Sequence, residues 1–231
     1  MMAKTVLITG SNRGIGLSLA AHYKNEGWQV IGCARNVDGA TDLQRLEPWK
    51  LVTLDTSSEE SIAAVASTLQ NVPIHLLINN AGVMDDHDLE STTKADLLRH
   101  YEVNAVGPFL MTRALLPNLR LAAAAEAPAF VAQLTSRMGC IADNDSGGTY
   151  GYRASKSALN MLSKCLAIDL MKENIGCLLL HPGYVKTAMV GFHGHVSPID
   201  SVKGLTTIIA RAKLEDSAKV LHYEKGDVLP W

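Results

Sequence analysis

Short, almost unbroken apolar runs recur along this chain, each followed by a longer stretch that reads as helix. The runs are Lys4–Thr9 (KTVLIT), Gln29–Ala34 (QVIGCA), Lys50–Asp55 (KLVTLD), Ile74–Asn79 (IHLLIN), Ala129–Thr135 (AFVAQLT), Ile175–His181 (IGCLLLH) and Lys219–Tyr223 (KVLHY). A strand with one wet face alternates apolar and polar residues, whereas a strand covered on both faces has no need to. Between the runs, Ile15–Glu26 keeps its apolar residues on one face and stops at Gly27. Ser58–Leu69 starts beside Ser57, Glu59 and Glu60, good chemistry for a first turn. Thr92–Leu121 reads as long and mostly helical, and Tyr152–Lys172 as amphipathic. Alternation of this kind predicts an α/β fold: a three-layer, doubly wound parallel sheet of about seven strands.

No linker or internal repeat divides residues 1–231, so one domain is expected, large enough to bury a core without staples. The one biased patch, AAAAEAPA at 122–129, reads as a helix end and a turn. Charged residues make up 19% of the chain, the net charge is −2 and the basic residues do not cluster. Nucleic acid and anionic membrane surfaces are therefore not expected as partners. Cys33, Cys140, Cys165 and Cys177 form no CxxC pair, which predicts reduced and mostly buried thiols. The start, MMAKTVLITG, carries an apolar run too short for a signal peptide or a membrane span, so a cytoplasmic protein is expected.

The first apolar run leads into TGSNRGIG, with Gly10, Gly14 and Gly16 around Ser11, Asn12, Arg13 and Ile15, and then into a helix. Glycines there allow a sharp turn and the close approach of a pyrophosphate to free N–H groups at the helix start. The spacing GxxxGxG is not the commoner GxGxxG, so that fingerprint does not transfer position by position. At the end of the second strand an acid would take ribose hydroxyls, and an arginine would accommodate a 2′-phosphate. The sequence there is IGCARN, which puts Arg35 at that place with Arg13 nearby. NADP(H) is the preferred cofactor on this reading, and Asp38 keeps NAD(H) open. The third strand closes on Asp55 and Thr56, where Asp55 would either accept from an adenine amine or cap the next helix.

Six landmarks then follow in order: TGSNRGIG (9–16), NNAG (79–82), Asn104 in EVNAVGP, the serine of LTSRMG (134–139), YRASK (152–156) and HPGYVKT (181–187). Together they resemble the short-chain dehydrogenase/reductase family in its compact form. The stretch TSRMGCIADNDSGGTYGYRASKSALN and the ending KGDVLPW are similar to its C-factor and sniffer-like carbonyl reductase branch. The resemblance implies a Rossmann-type sheet, a nicotinamide cofactor and redox exchange between a carbonyl and an alcohol. It makes Tyr152 the acid/base, Lys156 its partner and a cofactor contact, Ser136 the holder of the carbonyl, and Asn104 part of a proton relay. Asn80, Ala81 and Gly82 match the turn near the adenine-side ribose. Pro182, Gly183, Val185 and Thr187 match the segment that faces the nicotinamide carboxamide.

Helix geometry separates the two tyrosines of TYGYRASK. At roughly 100° per residue, Tyr152 and Lys156 lie about 40° apart on one face, while Tyr150 and Lys156 are about 240° apart. A free tyrosine has a pKa near ~10, and a neighbouring ammonium would lower it. Ser136 would donate to the substrate oxygen as charge develops there. Sixteen positions separate Ser136 from Tyr152, longer than the family commonly shows, and the extra length falls in ADNDSGG at 142–148. Thr135 and Ser146 are the weaker candidates for the serine's role.

Residues 188–203 are glycine-rich and are expected to form a substrate loop. No carboxylate or cysteine clusters with His193 and His195, so no metal is expected there. Met138, Cys140, Ile141, Tyr150, Tyr184, Met189 and Phe192 would give the pocket apolar walls, suited to a small ketone, aldehyde or quinone. Surplus apolar residues on the helices around 92–121 and 152–172 are consistent with the homodimer or homotetramer that the resemblance implies. Two other readings stand beside the NADPH-dependent carbonyl reductase. One is a cofactor-binding sensor with vestigial catalysis, and the other is a pteridine or acyl-carrier reductase on the same scaffold.

Overall fold

The computed structural model describes residues 3–124 and 127–231. Strands β1 (Thr5–Ile8), β2 (Gln29–Ala34), β3 (Lys50–Thr53), β4 (Leu76–Asn79), β5 (Ala129–Leu134), β6 (Ile175–His181), β7 (Val220–His222) and β8 (Val228–Leu229) form one sheet. Their spatial order is β3-β2-β1-β4-β5-β6-β7-β8. The first seven pair in parallel, and β8 turns back antiparallel on β7. The sheet thus has eight strands among the described residues, one more than expected. The extra strand comes from KGDVLPW, where two residues are too short to carry a period.

The helices are α1 (Gly14–Asn25), α2 (Thr41–Arg45), α3 (Glu59–Thr68), α4 (Lys94–Tyr101), α5 (Gly107–Ala114), α6 (Leu116–Ala123), α7 (Tyr150–Leu170) and α8 (Pro198–Arg211). They cover both faces of the sheet, which explains the unbroken apolar runs. One core joins Leu7, Leu77, Val131 and Cys177 to Ile62, Met111 and Leu166 from α3, α5 and α7. The other joins Ile8, Ile78, Ala132 and Leu178 to Leu19, Leu43, Val202 and Leu205 from α1, α2 and α8. Burial of such side chains is worth roughly 1.5–3 kcal/mol each, the dominant favourable term in this fold.

Two expectations change here. The long helix of 92–121 is divided. Thr93 caps α4 in a reciprocal pair with Asp96, a π-helical turn spans Glu102–Val106, and α6 restarts after Leu115 beside Pro117. Pro108 has no N–H to give the carbonyl of Asn104 in α-helical register, so the ladder widens at that point. The expected loop of 188–203 ends early, because Ser197 accepts from the Asp200 N–H (3.1 Å) and Pro198 opens α8. The short α2 also had no periodic signal long enough to announce it. Of the turn expected at 122–129, residues 125–126 lie outside the described residues, and α6 ends at Ala123.

Candidate active site

The strand order reverses between β1 and β4, so the loops after these strands diverge and leave a crevice at their carboxyl ends. Gly10 and Gly14 take left-handed backbone (φ +63° and +55°) that a side chain would strain. A Cβ on Gly16 would lie 2.2 Å from the Gly10 carbonyl oxygen, so only glycine lets α1 start this close to the turn. Ser11 is anchored by its N–H and its hydroxyl, which both donate to the Cys33 carbonyl (3.0 and 3.2 Å). The start of α1 has no side-chain cap and no acidic residue in its first turn, so its N–H groups are left for an anion.

The neighbouring segments close on this turn. The Asn80 side-chain amide donates to the carbonyls of Thr9 and Gly10 (2.9 and 3.0 Å), and the N–H groups of Asn80 and Ala81 donate to the Thr9 hydroxyl (3.0 and 2.9 Å). Asn80 thereby spends its amide on shaping the turn. Thr187 comes to 3.3 Å from where a Cβ of Gly14 would stand, which brings the Pro182–Thr187 segment to the same rim. Asn12, Arg13, Arg35, Asn36 and Gly39 line a cavity of about 280 Å³. Among the described residues neither arginine has a carboxylate ion-pair partner. Asp38 is outside that lining.

Asp55 does not cap α3. Its carboxylate accepts from the N–H and hydroxyl of Ser57 (3.0 and 2.6 Å), while Ser58 caps the helix by accepting from Ser61 (3.1 Å). The Ser57 bonds hold the Asp55 pKa below the usual carboxylate range, with a smaller contribution from Arg35. Thr56 is buried, and its carbonyl would lie 2.5 Å from a Cβ on Gly107, so α5 starts in close contact with it.

Ser136, at the end of β5, meets Tyr152 on the first turn of α7. Burial raises the Tyr152 pKa, and the Ser136 side chain opposes the rise. The Lys156 ammonium stands 5.7 Å from the centre of the Tyr152 ring and donates to the Leu134 carbonyl (2.8 Å). Burial pulls the Lys156 pKa down to about 8. The expectation that the ammonium depresses the tyrosine is not met in this arrangement: burial is the largest influence on the Tyr152 hydroxyl, and the ammonium is turned to a backbone carbonyl. Asn104, in the π-helical turn, exchanges two 2.8 Å hydrogen bonds with the backbone of Val83 and donates to the Ser155 hydroxyl (3.0 Å).

The wide gap between Ser136 and Tyr152 does not part them. Gly139 is held against α7, its carbonyl accepting from Ser157 and Asn160 (2.9 and 3.3 Å), and the surplus residues bulge outward from Ile141. Thr135 is taken up by Asn160 (2.6 Å) and Ser146 by Arg153 (2.8 Å), which removes both from the crevice. Thr149, just before α7, holds left-handed backbone (φ +48°), costly for a β-branched residue. Its N–H donates to the His87 carbonyl (3.0 Å) and its hydroxyl to Asp86 (3.2 Å), and these tie α7 to the segment after NNAG.

A family model for short chain dehydrogenases matches residues 4–195. The chain belongs to the short chain dehydrogenase family. This short chain dehydrogenase is 40% identical over 169 residues to the C-signal of Myxococcus xanthus, covering 73% of its own length and 99% of that protein. The NADPH-bound carbonyl reductase from chicken fatty liver superposes with a TM-score of 0.93 at 33% identity, and carbonyl reductase Sniffer of D. melanogaster with 0.92 at 28%. Each of these two pairs covers 100% of both chains.

Of the expected wall residues, Ile141, Tyr150, Tyr184, Met189 and Phe192 are exposed in this short chain dehydrogenase. Cys140 is not a wall residue. It is buried against Leu179, Val220 and Leu229, because β8 brings an apolar side chain to meet it. Sequence reasoning also missed the Leu134 carbonyl that holds Lys156, the Val83 backbone that holds Asn104, and Ser155. Backbone partners leave no mark in a sequence, while Ser155 stood in YRASK and was open to question. No described helix is long and apolar enough to cross a membrane. Cys33, Cys140 and Cys177 are buried free thiols, and Cys165 is exposed.

Proposed function

We propose that this short chain dehydrogenase uses NADPH to reduce a small, mostly apolar ketone, aldehyde or quinone, with Tyr152 as the proton donor. The observation that carries the reading is the buried Tyr152 side chain, with Ser136 lowering its pKa against burial and the Lys156 ammonium 5.7 Å from its ring, next to a glycine turn shaped for a pyrophosphate. The nicotinamide cofactor, when bound, supplies the hydride. Ser136 orients the carbonyl oxygen, and Tyr152 delivers a proton as negative charge forms on that oxygen. An alkoxide is far more basic than a phenolate, so a raised tyrosine pKa still allows donation. Lys156 faces the tyrosine, and Asn104 fixes the segment behind it as part of the proton relay.

The backbone of Gly10, Ser11, Asn12, Gly14, Ile15 and Gly16 would hold the pyrophosphate, with Arg13 and Arg35 at the 2′-phosphate. Asp55 and Thr56 would lie at the adenine, Asn80, Ala81 and Gly82 at the adjoining ribose. Pro182, Gly183, Val185 and Thr187 would face the carboxamide. The fit rests on the uncapped helix start, the left-handed turn at Gly10 and Gly14, the Gly16 position that admits no Cβ, and two arginines on one cavity without carboxylates. The NADPH-bound chicken carbonyl reductase supports NADPH over NADH.

A panel of ketones, aldehydes and quinones, followed by NADPH oxidation, tests the reading. Turnover is expected, and Tyr152→Phe should lose it by at least about 10²-fold while NADPH affinity stays within a few-fold. Tight NADPH binding without turnover of any carbonyl would instead favour a cofactor-bound signalling role, the reading that the likeness to C-signal supports. A homodimer through α4 and α7 is part of the proposal, since Leu97, Leu98 and Tyr101 on one and Met161 and Ile168 on the other are exposed. Sedimentation of Met161→Glu/Ile168→Glu should then show a monomer.

A further inference from the structure

Ser136 and Tyr152 are joined by a segment with two different kinds of support. Residues 136–140 are clamped to α7. The Gly139 carbonyl takes two donors from that helix, and a Cβ on Gly139 would lie 2.7 Å from the backbone of Lys156. Beyond Cys140 the chain leaves the helix and makes a tight turn at Ile141–Asp143, where Ile141 is 77% exposed. The Ala142 N–H donates to the Trp231 carbonyl (2.9 Å), Asp143 pairs with Arg137, and Cys140 packs on Leu229. In the first turn of a helix an N–H has no partner of its own, so the Trp231 carbonyl satisfies a group nothing local would. Leu229 is placed by its antiparallel pairing with Val220. The turn beside Ser136 is thus propped from a distant strand.

We propose that Leu229 and Trp231 are positioning residues for the turn beside Ser136: they hold residues 140–143 at a set distance from Ser136 and thereby set carbonyl affinity and selectivity. This rests on the carbonyl reductase reading above. The cofactor cradle lies on β1 and α1, across the crevice, and should not feel the strut.

Two variants remove the contact from opposite sides. One is a chain ending at Leu229. The other is Ala142→Pro, which deletes the donor N–H at a first-turn position where proline is tolerated. For each, KM for the best carbonyl should rise about fivefold, with kcat and NADPH Kd within about twofold, and amide hydrogen exchange in 141–148 should quicken. The double variant should be no worse than either single one. Unchanged exchange in both variants overturns the strut while leaving the reductase reading intact. Faster exchange with an unchanged KM and product stereochemistry overturns the selectivity role. A parent that turns over no carbonyl but shows the exchange difference sinks the reductase reading, and the selectivity role with it. Loss of kcat and NADPH affinity together would mean general loosening, and would also refute the proposal.

Discussion

Lys156 offers a direct test of how this site is built, because its energetic signature is separable from turnover. The side chain is 5% exposed and its ammonium donates to the Leu134 carbonyl. Burial lowers its pKa from 10.5 to about 8. The folded lysine therefore releases its proton before the unfolded one does, and the unfolded chain holds the extra proton between these two values. Stability rises with pH through that window. Below about 8 both states are charged and the full penalty is present, roughly 3 kcal/mol at about 1.4 kcal/mol per pKa unit; above 10.5 it is gone. Lys156→Met keeps most of the stem and removes the charge, at a pH-independent cost of about 1 kcal/mol for the carbonyl left without its donor. Urea melts of both proteins without cofactor, at about pH 6.5 and about pH 9.5, isolate the titration. The stability of the variant relative to the parent should fall by about 2 kcal/mol from the lower to the higher pH, or about 4–8 °C in Tm for a chain of this size. A difference that is the same at both pH values would refute the buried, charged lysine on which the reasoning depends.

Other changes probe the rest of the site. Ser136→Ala should lower kcat by about 10²-fold. It also removes the side chain that opposes the rise in the Tyr152 pKa, so the alkaline limb of the pH–rate profile should move to higher pH. Arg35→Ala should weaken NADPH by about tenfold or more through loss of a charged hydrogen bond, with NADH affinity unchanged; equal losses for both cofactors would contradict a 2′-phosphate site. Gly16→Ala puts a Cβ 2.2 Å from a backbone oxygen that cannot swing away, so calorimetry should show NADPH binding lost and stability reduced by about 1–3 kcal/mol.

The sequence was informative wherever one residue type has few alternatives. Gly10, Gly14 and Gly16 announced a turn because no other residue tolerates those torsions and contacts. The seven apolar runs announced a sheet covered on both faces. The four-residue spacing of Tyr152 and Lys156 placed them on one helical face, and the structure puts the ammonium beside that ring. Partners across the fold were not legible. Asp55 could have served an adenine or a helix, and only the positions of Ser57 and Ser58 decide that α3 is capped without it.

Covalent and local constraints are written in the sequence: where the chain can turn, which faces must be buried, which residue pairs share a helix. Long-range hydrogen bonds and desolvation depend on elements far apart in the chain. The Lys156 ammonium finds the carbonyl of Leu134, and Asn104 finds Val83 and Ser155, only after the strands are laid side by side. The direction of the Tyr152 pKa was decided there too. Proximity to a lysine suggested a lowered value, but the folded environment excludes water from the hydroxyl, and that cost is the larger effect.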